Sequence, residues 1–268
     1  LAGMLARLRH RGPDDEGMFF QESDAGTIAL GHVRLSIIDL SANGRQPLAN
    51  EDGSIQITYN GEIYNFAALR RELEARGHRF RSNTDTEVIV HGYEEYGVNI
   101  VERLNGMFAF ALWDAGTRTL FMARDRYGQK PLYYAPLSCG LAFASELKAL
   151  CKHPQVSNSI DPAGLSCYLL FEYLPRESSI MTGVRKLAPG HLMTFKAGKV
   201  EVRRYWQAEF EPQSQLSFAD AKREFTNIFT RAVERHLVSD VPLGVFLSGG
   251  MDSSSLVAAM TECVPASR

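Results

Sequence analysis

The sequence has few cysteines, no excess of either charge and no long apolar run. Its 268 residues include 4 cysteines and no Cys-x-x-Cys pair, which argues against a disulfide scaffold and predicts a reducing, cytoplasmic compartment. The 29 basic and 31 acidic side chains give a net charge of -2, which argues against a nucleic-acid binder that neutralises phosphates. The longest apolar stretches, such as residues 106–113, are much shorter than the roughly 20 residues of a membrane-spanning helix. A globular protein that binds neither nucleic acid nor membrane is therefore expected.

Two parts of the chain differ in hydrophobic pattern. In the first, short alternating runs predict antiparallel strands, with a few helices, so its class is α+β. A polar segment at residues 207–217 is the predicted linker. After it, apolar residues at helical spacing predict a helix over 218–233, and the apolar run 241–247 predicts a strand buried on both faces of a parallel sheet. The strands of the first part are predicted at 27–30, 35–40, 54–59, 107–113, 119–123, 131–135, 141–144, 191–196 and 199–205, helices at 1–8, 66–76, 145–150 and 162–170, and a further apolar periodicity covers 88–96.

A glycine and serine loop follows the predicted buried strand and leads into a predicted helix at 256–260. A loop in that position directs free backbone N–H groups and the positive end of the helix dipole at one point, where anions bind. Gly249 and Gly250 let the backbone approach a phosphate, and Asp252 could hold a Mg²⁺ ion that bridges phosphates. The loop lacks the GK[ST] of a Walker motif. The alternative is a glycine-rich turn with a serine N-cap.

Three polar positions in the first part have both a functional and a structural interpretation. Arg34 could bind an α-carboxylate through its fork of donors, or it could be a structural arginine paired with Asp39. Asn60 and Gly61 could form an oxyanion hole, or a tight turn at a strand end. Asp85 could bind the α-amino group of an amino acid, or cap the helix that follows it.

Several sequence motifs, in order along nearly the whole chain, resemble those of one family. The chain is similar to the glutamine-hydrolysing asparagine synthetases, enzymes with a class II glutamine amidotransferase domain followed by a pyrophosphatase-loop synthetase domain. The motifs are RHRGPDDEG (9–17), GHVRLSIIDLS (31–41), NGEIYN (60–65), SNTDTEVI (82–89), NGMFAFALWD (105–114), RDRYGQKPLYY (124–134), ASELKAL (144–150) and the closing SDVPLGVFLSGGMDSS.

The resemblance implies a fold and a division into domains. Residues 1–206 would form a glutaminase domain with the four-layer α/β/β/α sandwich of N-terminal nucleophile hydrolases. Residues 207–217 would be a linker, and residues 218–268 the start of a parallel α/β nucleotide-binding domain. Oligomeric state stays open, although homodimers occur in the family.

The same resemblance implies the site residues and cofactors. The oxyanion hole would be Asn60 and Gly61, and ATP with Mg²⁺ would be the cofactors, Asp252 acting on Mg²⁺ through pyrophosphate. The seven histidines show no paired spacing that would predict another metal site. His10 and His32 lie near the expected site, although a lone histidine is more often structural. The glutamine pocket would contain Arg34, Leu35, Ser36, Ile37, Ile38, Asn60, Gly61, Glu62 and Asp85, and the ATP loop Leu247, Ser248, Gly249, Gly250, Asp252 and Ser253.

The implied reaction converts aspartate to asparagine through a β-aspartyl-adenylate, with ammonia supplied from glutamine. Two alternatives stay open. A paralogous amidotransferase would act on another carboxylate, and a degenerate module would bind glutamine without hydrolysing it.

The family nucleophile is an N-terminal cysteine that precedes the segment aligned with Leu1, and it is absent from this sequence. Cys139, Cys151, Cys167 and Cys263 cannot replace it, because the chemistry needs a thiol and a free α-amine on one residue. We therefore expect the 268-residue chain alone to release no glutamate from glutamine and to make no asparagine. Glutamate release above a heat-denatured control, measured by an enzyme-coupled assay, would contradict this.

Overall fold

The computed structural model describes residues 1–23, 26–175, 177–210 and 215–263. Contacts divide the chain into two units, Leu1–Gln207 and Ala208–Arg268. The first unit contains eleven strands and six α-helices among its described residues, and the second contains two helices. In chain order the elements are α1 Ala2–Ala6, β1 Asp15–Ser23, β2 Gly26–Arg34, β3 Leu48–Ala49, β4 Ile55–Ile63, α2 Phe66–Ala75, α3 Glu87–Tyr96, α4 Ile100–Arg103, β5 Gly106–Asp114, β6 Thr119–Arg124, β7 Tyr133–Leu137, β8 Gly140–Ala144, α5 Leu147–Leu150, α6 Pro162–Phe171, β9 Arg185–Lys186, β10 His191–Lys196, β11 Lys199–Arg204, α7 Phe218–Arg235 and α8 Met251–Cys263.

A six-stranded antiparallel sheet forms the centre of the first unit, in the order β11-β10-β6-β5-β4-β3. Its longest pairing joins β4 to β5, with Asn60 opposite Ala109. A Cβ at Gly61 would lie 2.3 Å from the Met107 carbonyl oxygen, so only glycine permits this close approach of the two backbones.

Side chains alternate between the two faces of this sheet. On β5, Phe108, Phe110 and Leu112 pack with helices α2, α3 and α4, whereas Ala109 and Ala111 point to the opposite face. Such a two-residue period arises because successive side chains of a strand lie on opposite sides of the sheet.

The second layer of strands consists of the pair β1-β2 and the three-stranded sheet β8-β7-β9. Leu30 of β2 and Tyr134 of β7 pack against the face of the large sheet that carries Ala109. Behind them, Ala142 of β8 packs with Leu150 of α5 and with Met4 of α1. The order of layers is therefore helices, sheet, strands and helices, which is the expected α/β/β/α sandwich.

The buried carboxylate of Asp125 organises the turn after β6. Its Oδ1 accepts from the N–H groups of Tyr127 and Gln129, both at 3.0 Å. Its Oδ2 accepts from Lys130 at 3.0 Å and from Phe108 on β5 at 3.2 Å. The Asp125 side chain is fully buried, and its four hydrogen bonds join the turn to β5.

In the second unit, the helix predicted over residues 218–233 is present as α7. Ser217 caps it, since its hydroxyl accepts from the Asp220 N–H at 3.1 Å. The expected strand at 241–247 does not form: this segment has no strand, and Phe246 is 99% exposed. A buried parallel strand needs neighbours on both sides, and the described residues of this unit contain no other strand. Of the predicted linker 207–217, residues 211–214 lie outside the described residues, and the others form neither helix nor strand.

Two further sequence expectations were wrong in the first unit. Residues 35–40, expected as a strand, form a loop, because the backbone there folds around the Arg34 side chain. The strand β1, which pairs with β2 over its full length, was not among the predicted strands. Its burial is confined to Gly17, so the sequence carries little apolar alternation there. The strand expected at 54–59 continues to Ile63.

Within the described part of the chain, no helix combines the length and the apolar character needed to cross a membrane.

We predict that Asp125→Asn lowers the free energy of unfolding by about 2–4 kcal/mol. An amide can accept on one side only, so two N–H groups lose their acceptor, at about 1–2 kcal/mol each because most of these hydrogen bonds are only partly buried. Urea unfolding followed by circular dichroism measures this difference. The control is Asp52→Asn, which alters an exposed turn and should cost less than about 1 kcal/mol. Equal losses in the two variants would contradict the assigned role.

Candidate functional site

A cleft of about 1120 Å³ lies in the first unit between the strands of the two layers. One end, called here the polar end, is lined by Arg34, Asn60, Glu62, Asp85 and Lys130. The other, called the apolar groove, is lined by Ile28, Trp113, Leu141, Phe143 and Phe195. A concave site with a few convergent polar groups beside an apolar surface is the usual form of a small-molecule site.

Asp85 lies at the polar end and ties β4 to the start of α3. Its Oδ2 accepts from the Tyr59 hydroxyl at 2.6 Å and from the Ile63 N–H at 2.8 Å. Burial raises the pKa of Asp85, while these two donors favour its ionised form. Thr86, rather than Asp85, occupies the N-cap position of α3, so the interpretation of Asp85 as a helix cap is wrong. A carboxylate held in this way retains acceptor capacity for a further donor.

Asn60 and Gly61 lie inside β4 and not at a strand end, so the tight-turn interpretation is also wrong. The Asn60 side-chain nitrogen is buried and has no hydrogen-bond partner among the described residues. A buried amide without an acceptor costs free energy, and this one lines the cleft. It is therefore placed to donate to an oxygen atom bound there.

Glu62 and Lys130 face the cleft beside these groups. Burial and the neighbouring Asp85 raise the pKa of Glu62 to about 7, with Lys130 opposing the shift. Burial and the nearby Arg11 lower the pKa of Lys130. A carboxyl group with a pKa near neutrality is typical of functional sites. Sequence analysis missed Lys130, although it stands in the quoted motif at 124–134; a lone lysine there gives no signal of the fold that brings it to Glu62.

Arg34, at the end of β2, is buried and holds the loop that follows it. Its Nη2 donates to the carbonyl oxygens of Ile38 at 3.1 Å and Asp39 at 2.6 Å, and its Nη1 donates to that of Ser41 at 3.1 Å. These bonds use three of the five N–H donors of a guanidinium. The arginine thus has a structural role towards the backbone, and it also lines the cleft.

The loop held by Arg34 contributes three of its four expected residues to the cleft. Leu35, Ile37 and Ile38 line it. Ser36 is not part of that lining, and its N–H donates to Asp14 at 2.8 Å. The apolar side chains at 35, 37 and 38 would contact the methylene part of a ligand whose polar ends bind elsewhere.

The two histidines noted in the sequence differ. His32 lines the cleft, where burial and the adjacent Arg34 lower its pKa to about 4. His10 instead lies 3.1 Å from the Glu146 carboxylate and 3.3 Å from Lys148. A neutral His32 places no positive charge in the cleft, whose lining includes the cationic side chains of Arg11, Arg34, Arg118, Lys130 and Lys196.

The glycine and serine loop belongs to the second unit, where it precedes the 13-residue helix α8. Gly249 adopts φ 78°, a conformation that favours glycine. The Ser248 hydroxyl lies 3.1 Å from that of Ser253 and 3.4 Å from the Gly250 N–H. Hydroxyls and N–H groups at a helix N-terminus are the donor set that suits a phosphate, and Asp252 is exposed in the first turn.

Comparisons with known proteins agree with the two units. A family model described as a glutamine amidotransferase domain matches residues 1–206, and one described as asparagine synthase matches residues 224–267.

Curated relatives carry related names. The chain is 41% identical over 260 residues to asparagine synthetase (glutamine-hydrolyzing) 3 of Bacillus subtilis, covering 95% of the chain and 41% of that protein. It is 36% identical to putative asparagine synthetase (glutamine-hydrolyzing) 2 of Methanocaldococcus jannaschii, covering 97% of the chain and 53% of that protein. It is also 36% identical to amidase chry2 of Gibberella zeae, covering 97% and 38%. The chain thus spans about two-fifths to one-half of the length of these relatives.

Among solved structures, glutamine phosphoribosylpyrophosphate amidotransferase from B. subtilis, complexed with ADP and GMP, matches with a TM-score of 0.56 and 17% identity. The match covers 97% of this chain and 60% of that one. This likeness supports the fold alone, namely the four-layer sandwich expected from the sequence. With a family model that matches residues 1–206, the chain belongs to the glutamine amidotransferase domain family.

Proposed function

We propose that this chain is the glutamine-hydrolysing part, with the start of the synthetase part, of an ATP-dependent enzyme that converts aspartate to asparagine. The observation that carries the proposal is the buried Asn60 amide nitrogen, which lacks a partner among the described residues. It shares the cleft with two carboxylates and a guanidinium. An amino acid has the matching groups: an ammonium, a carboxylate and, in glutamine, a side-chain carbonyl oxygen.

Each charged group of glutamine would bind to side chains of the opposite charge. Asp85 and Glu62 would accept from the α-ammonium, and Arg34 would donate to the α-carboxylate through N–H groups not used by its loop. The side-chain carbonyl would then point to Asn60 and Gly61. When a thiolate attacks that carbon, negative charge develops on the oxygen, and donors already fixed in place stabilise it without reorganisation.

The nucleophile would be an N-terminal cysteine on a segment that precedes Leu1 in the whole protein. The apolar groove supports this, because two strands meet it at their sheet edges. Within the described residues, β2 pairs with β1 alone and β8 with β7 alone, and both line the groove. A strand inserted between them would satisfy both edges. The α-amine of the cysteine would take the proton of its thiol, and the resulting thiolate would attack the side-chain amide carbon of glutamine. The amide nitrogen would then leave as ammonia, with an acyl-enzyme left on the sulfur.

The second unit would bind ATP and Mg²⁺. Ser248, Gly249, Gly250 and Ser253 would hold the phosphates at the N-terminus of α8, Leu247 would precede them, and Asp252 would contact Mg²⁺. The bound nucleotide would activate the aspartate side chain as an adenylate, which ammonia attacks. The free cysteines are compatible with a cytoplasmic enzyme.

A second candidate is an amidotransferase that acts on another carboxylate. It is favoured by the similarity to amidase chry2, which is 36% identical over most of the chain. The glutamine pocket would be the same in both cases, because only the acceptor differs. The third candidate, a degenerate glutamine-binding module, predicts a gene without a cysteine codon after the initiator.

We expect the full-length gene product to form asparagine, AMP and pyrophosphate from ATP, aspartate and glutamine. In the same protein, Asn60→Ala should lower kcat for glutamine hydrolysis by about 10²–10³-fold, the usual effect of removing one oxyanion donor. Asparagine synthesis from added ammonia should persist, because that half-reaction does not use the cleft. Product chromatography measures both activities.

The control is Asn99→Ala, an asparagine outside the cleft lining, which should leave glutamine hydrolysis unchanged. Glutamine hydrolysis with neither AMP nor asparagine formed from aspartate would favour the second candidate. Wild-type kcat in Asn60→Ala would refute the oxyanion role.

The pKa of Glu62, about 7, predicts a pH dependence of glutamine binding. Ionised Glu62 attracts the ammonium group and neutral Glu62 does not. Affinity should therefore rise with pH, by about tenfold between pH 6 and pH 8 as the ionised fraction increases. Calorimetry at several pH values measures this affinity. The Glu62→Gln variant should bind glutamine weakly at every pH, with no dependence on pH. Glu102→Gln, on α4 away from the cleft, should keep the wild-type profile; a flat wild-type profile would contradict the assignment.

A further inference from the structure

A second cluster of polar side chains lies outside the cleft, on the helical layer. It consists of His78, which follows α2, and of His91 and Glu94 on α3. One ligating atom from each of the three lies within 4.8 Å of the others. His91 and Glu94 share a helix face because they are three residues apart, and the turn at Gly77 brings His78 to them.

Both imidazoles approach the same carboxylate oxygen. Glu94 Oε2 lies 2.8 Å from His91 Nδ1 and 3.3 Å from His78 Nδ1. In a tetrahedral zinc site with bonds of about 2.0–2.1 Å, ligand atoms are about 3.3–3.4 Å apart. The distance from Glu94 Oε2 to His78 Nδ1 already has that length. The distance to His91 Nδ1 would have to increase by only about half an ångström.

Two of the three residues have the outer partners that metal ligands usually have. His78 Nε2 lies 3.0 Å from the Glu95 carboxylate, whereas His91 Nε2 has no hydrogen-bond partner among the described residues and faces the Glu87 carboxylate at 3.6 Å. The second oxygen of Glu94 accepts from the Asn50 amide at 2.8 Å. Carboxylates behind ligating histidines fix the ring orientation and strengthen the metal bond.

Charge and access favour a cation at the same point. Three carboxylates, those of Glu87, Glu94 and Glu95, surround the two rings, and Arg76 approaches Glu95 alone among them, at 3.3 Å. His91 is 1% exposed, whereas the Glu94 side chain is 23% exposed. An ion could therefore enter from solvent on the Glu94 side, where a water molecule would complete four-coordination.

We propose that His78, His91 and Glu94 form a binding site for one divalent transition-metal ion of the zinc type. The ion would join the end of α2 to α3 and so fix the intervening segment, residues 79–86. That segment folds back onto Glu87, which accepts from the N–H groups of Arg81 and Ser82, both at 2.8 Å. It also carries Asp85 of the cleft. The ion's role would be structural, and the proposal does not depend on the proposed function.

The test is a titration of the chelator-treated 268-residue chain with Co²⁺, followed by competition with Zn²⁺. We expect one equivalent of Co²⁺ with the visible spectrum of four-coordinate nitrogen and oxygen ligation. Zn²⁺ should displace it and raise the melting temperature. His78→Gln and Glu94→Gln should each weaken metal binding by more than about 100-fold. Loss of a residue that only hydrogen-bonds to a metal ligand usually costs about 10–100-fold in metal affinity.

Both substitutions are at partly exposed side chains, so melting of the metal-free variants checks that they fold. His153→Gln, a histidine outside the cluster, should bind like the wild type. Wild-type affinity in either ligand variant, or failure of the wild type to bind one equivalent, would overturn the proposal. So would a thiolate charge-transfer band that disappears in Cys139→Ser, because Cys139 is an exposed thiol.

Discussion

The buried carboxylate of Asp85 sets the geometry on which the polar end of the cleft depends. Through Tyr59 and Ile63 it binds to both ends of the segment that contains Asn60, Gly61 and Glu62. A buried carboxylate is tolerated only when donors surround it, so the sheet and the start of α3 must keep this spacing. The same condition that stabilises the fold therefore fixes the separation between a carboxylate and an amide that face the cleft.

Arg34, also at the polar end of the cleft, is likewise a buried charged group surrounded by hydrogen-bond partners. Its guanidinium is satisfied by backbone carbonyls of residues 38, 39 and 41, and Gly44 leaves the space it needs, since a Cβ there would lie 2.1 Å from Nη2. The loop thereby presents Leu35, Ile37 and Ile38 to the cleft without regular secondary structure. The structural role of this arginine is seen in its bonds to the loop, whereas its binding role stays a prediction, for which two of the five guanidinium donors remain.

Much of the first unit could be predicted from the sequence because its signals are local. The alternation on β5 and β6 follows from strand geometry, and α2 ends before Gly77 at φ 102°. The strand β1 was missed since little of it is buried, and residues 35–40 were predicted as a strand from their β-branched and aliphatic content. The segment 241–247 has the composition of a buried strand, but strands form through partners that are distant in sequence.

The site residues show the same division. Arg34, Asn60, Gly61, Glu62 and Asp85 were found because they occur in motifs, and their roles in binding remain predictions. Lys130 also occurs in a motif, but a lone lysine gave no sign of its contact with Glu62. Tyr59 and the cluster of His78, His91 and Glu94 lie outside the motifs, and folding alone brings their partners near.

The sequence by itself determined the periodicities, the turn residues and the family to which the chain belongs, since all three depend on the order of side chains along the backbone. Only the tertiary structure decided which carboxylates are buried, which donors lack an acceptor and which histidines meet. Burial and pairing depend on contacts between β4 and α3, or between α2 and α3, that sequence spacing does not specify.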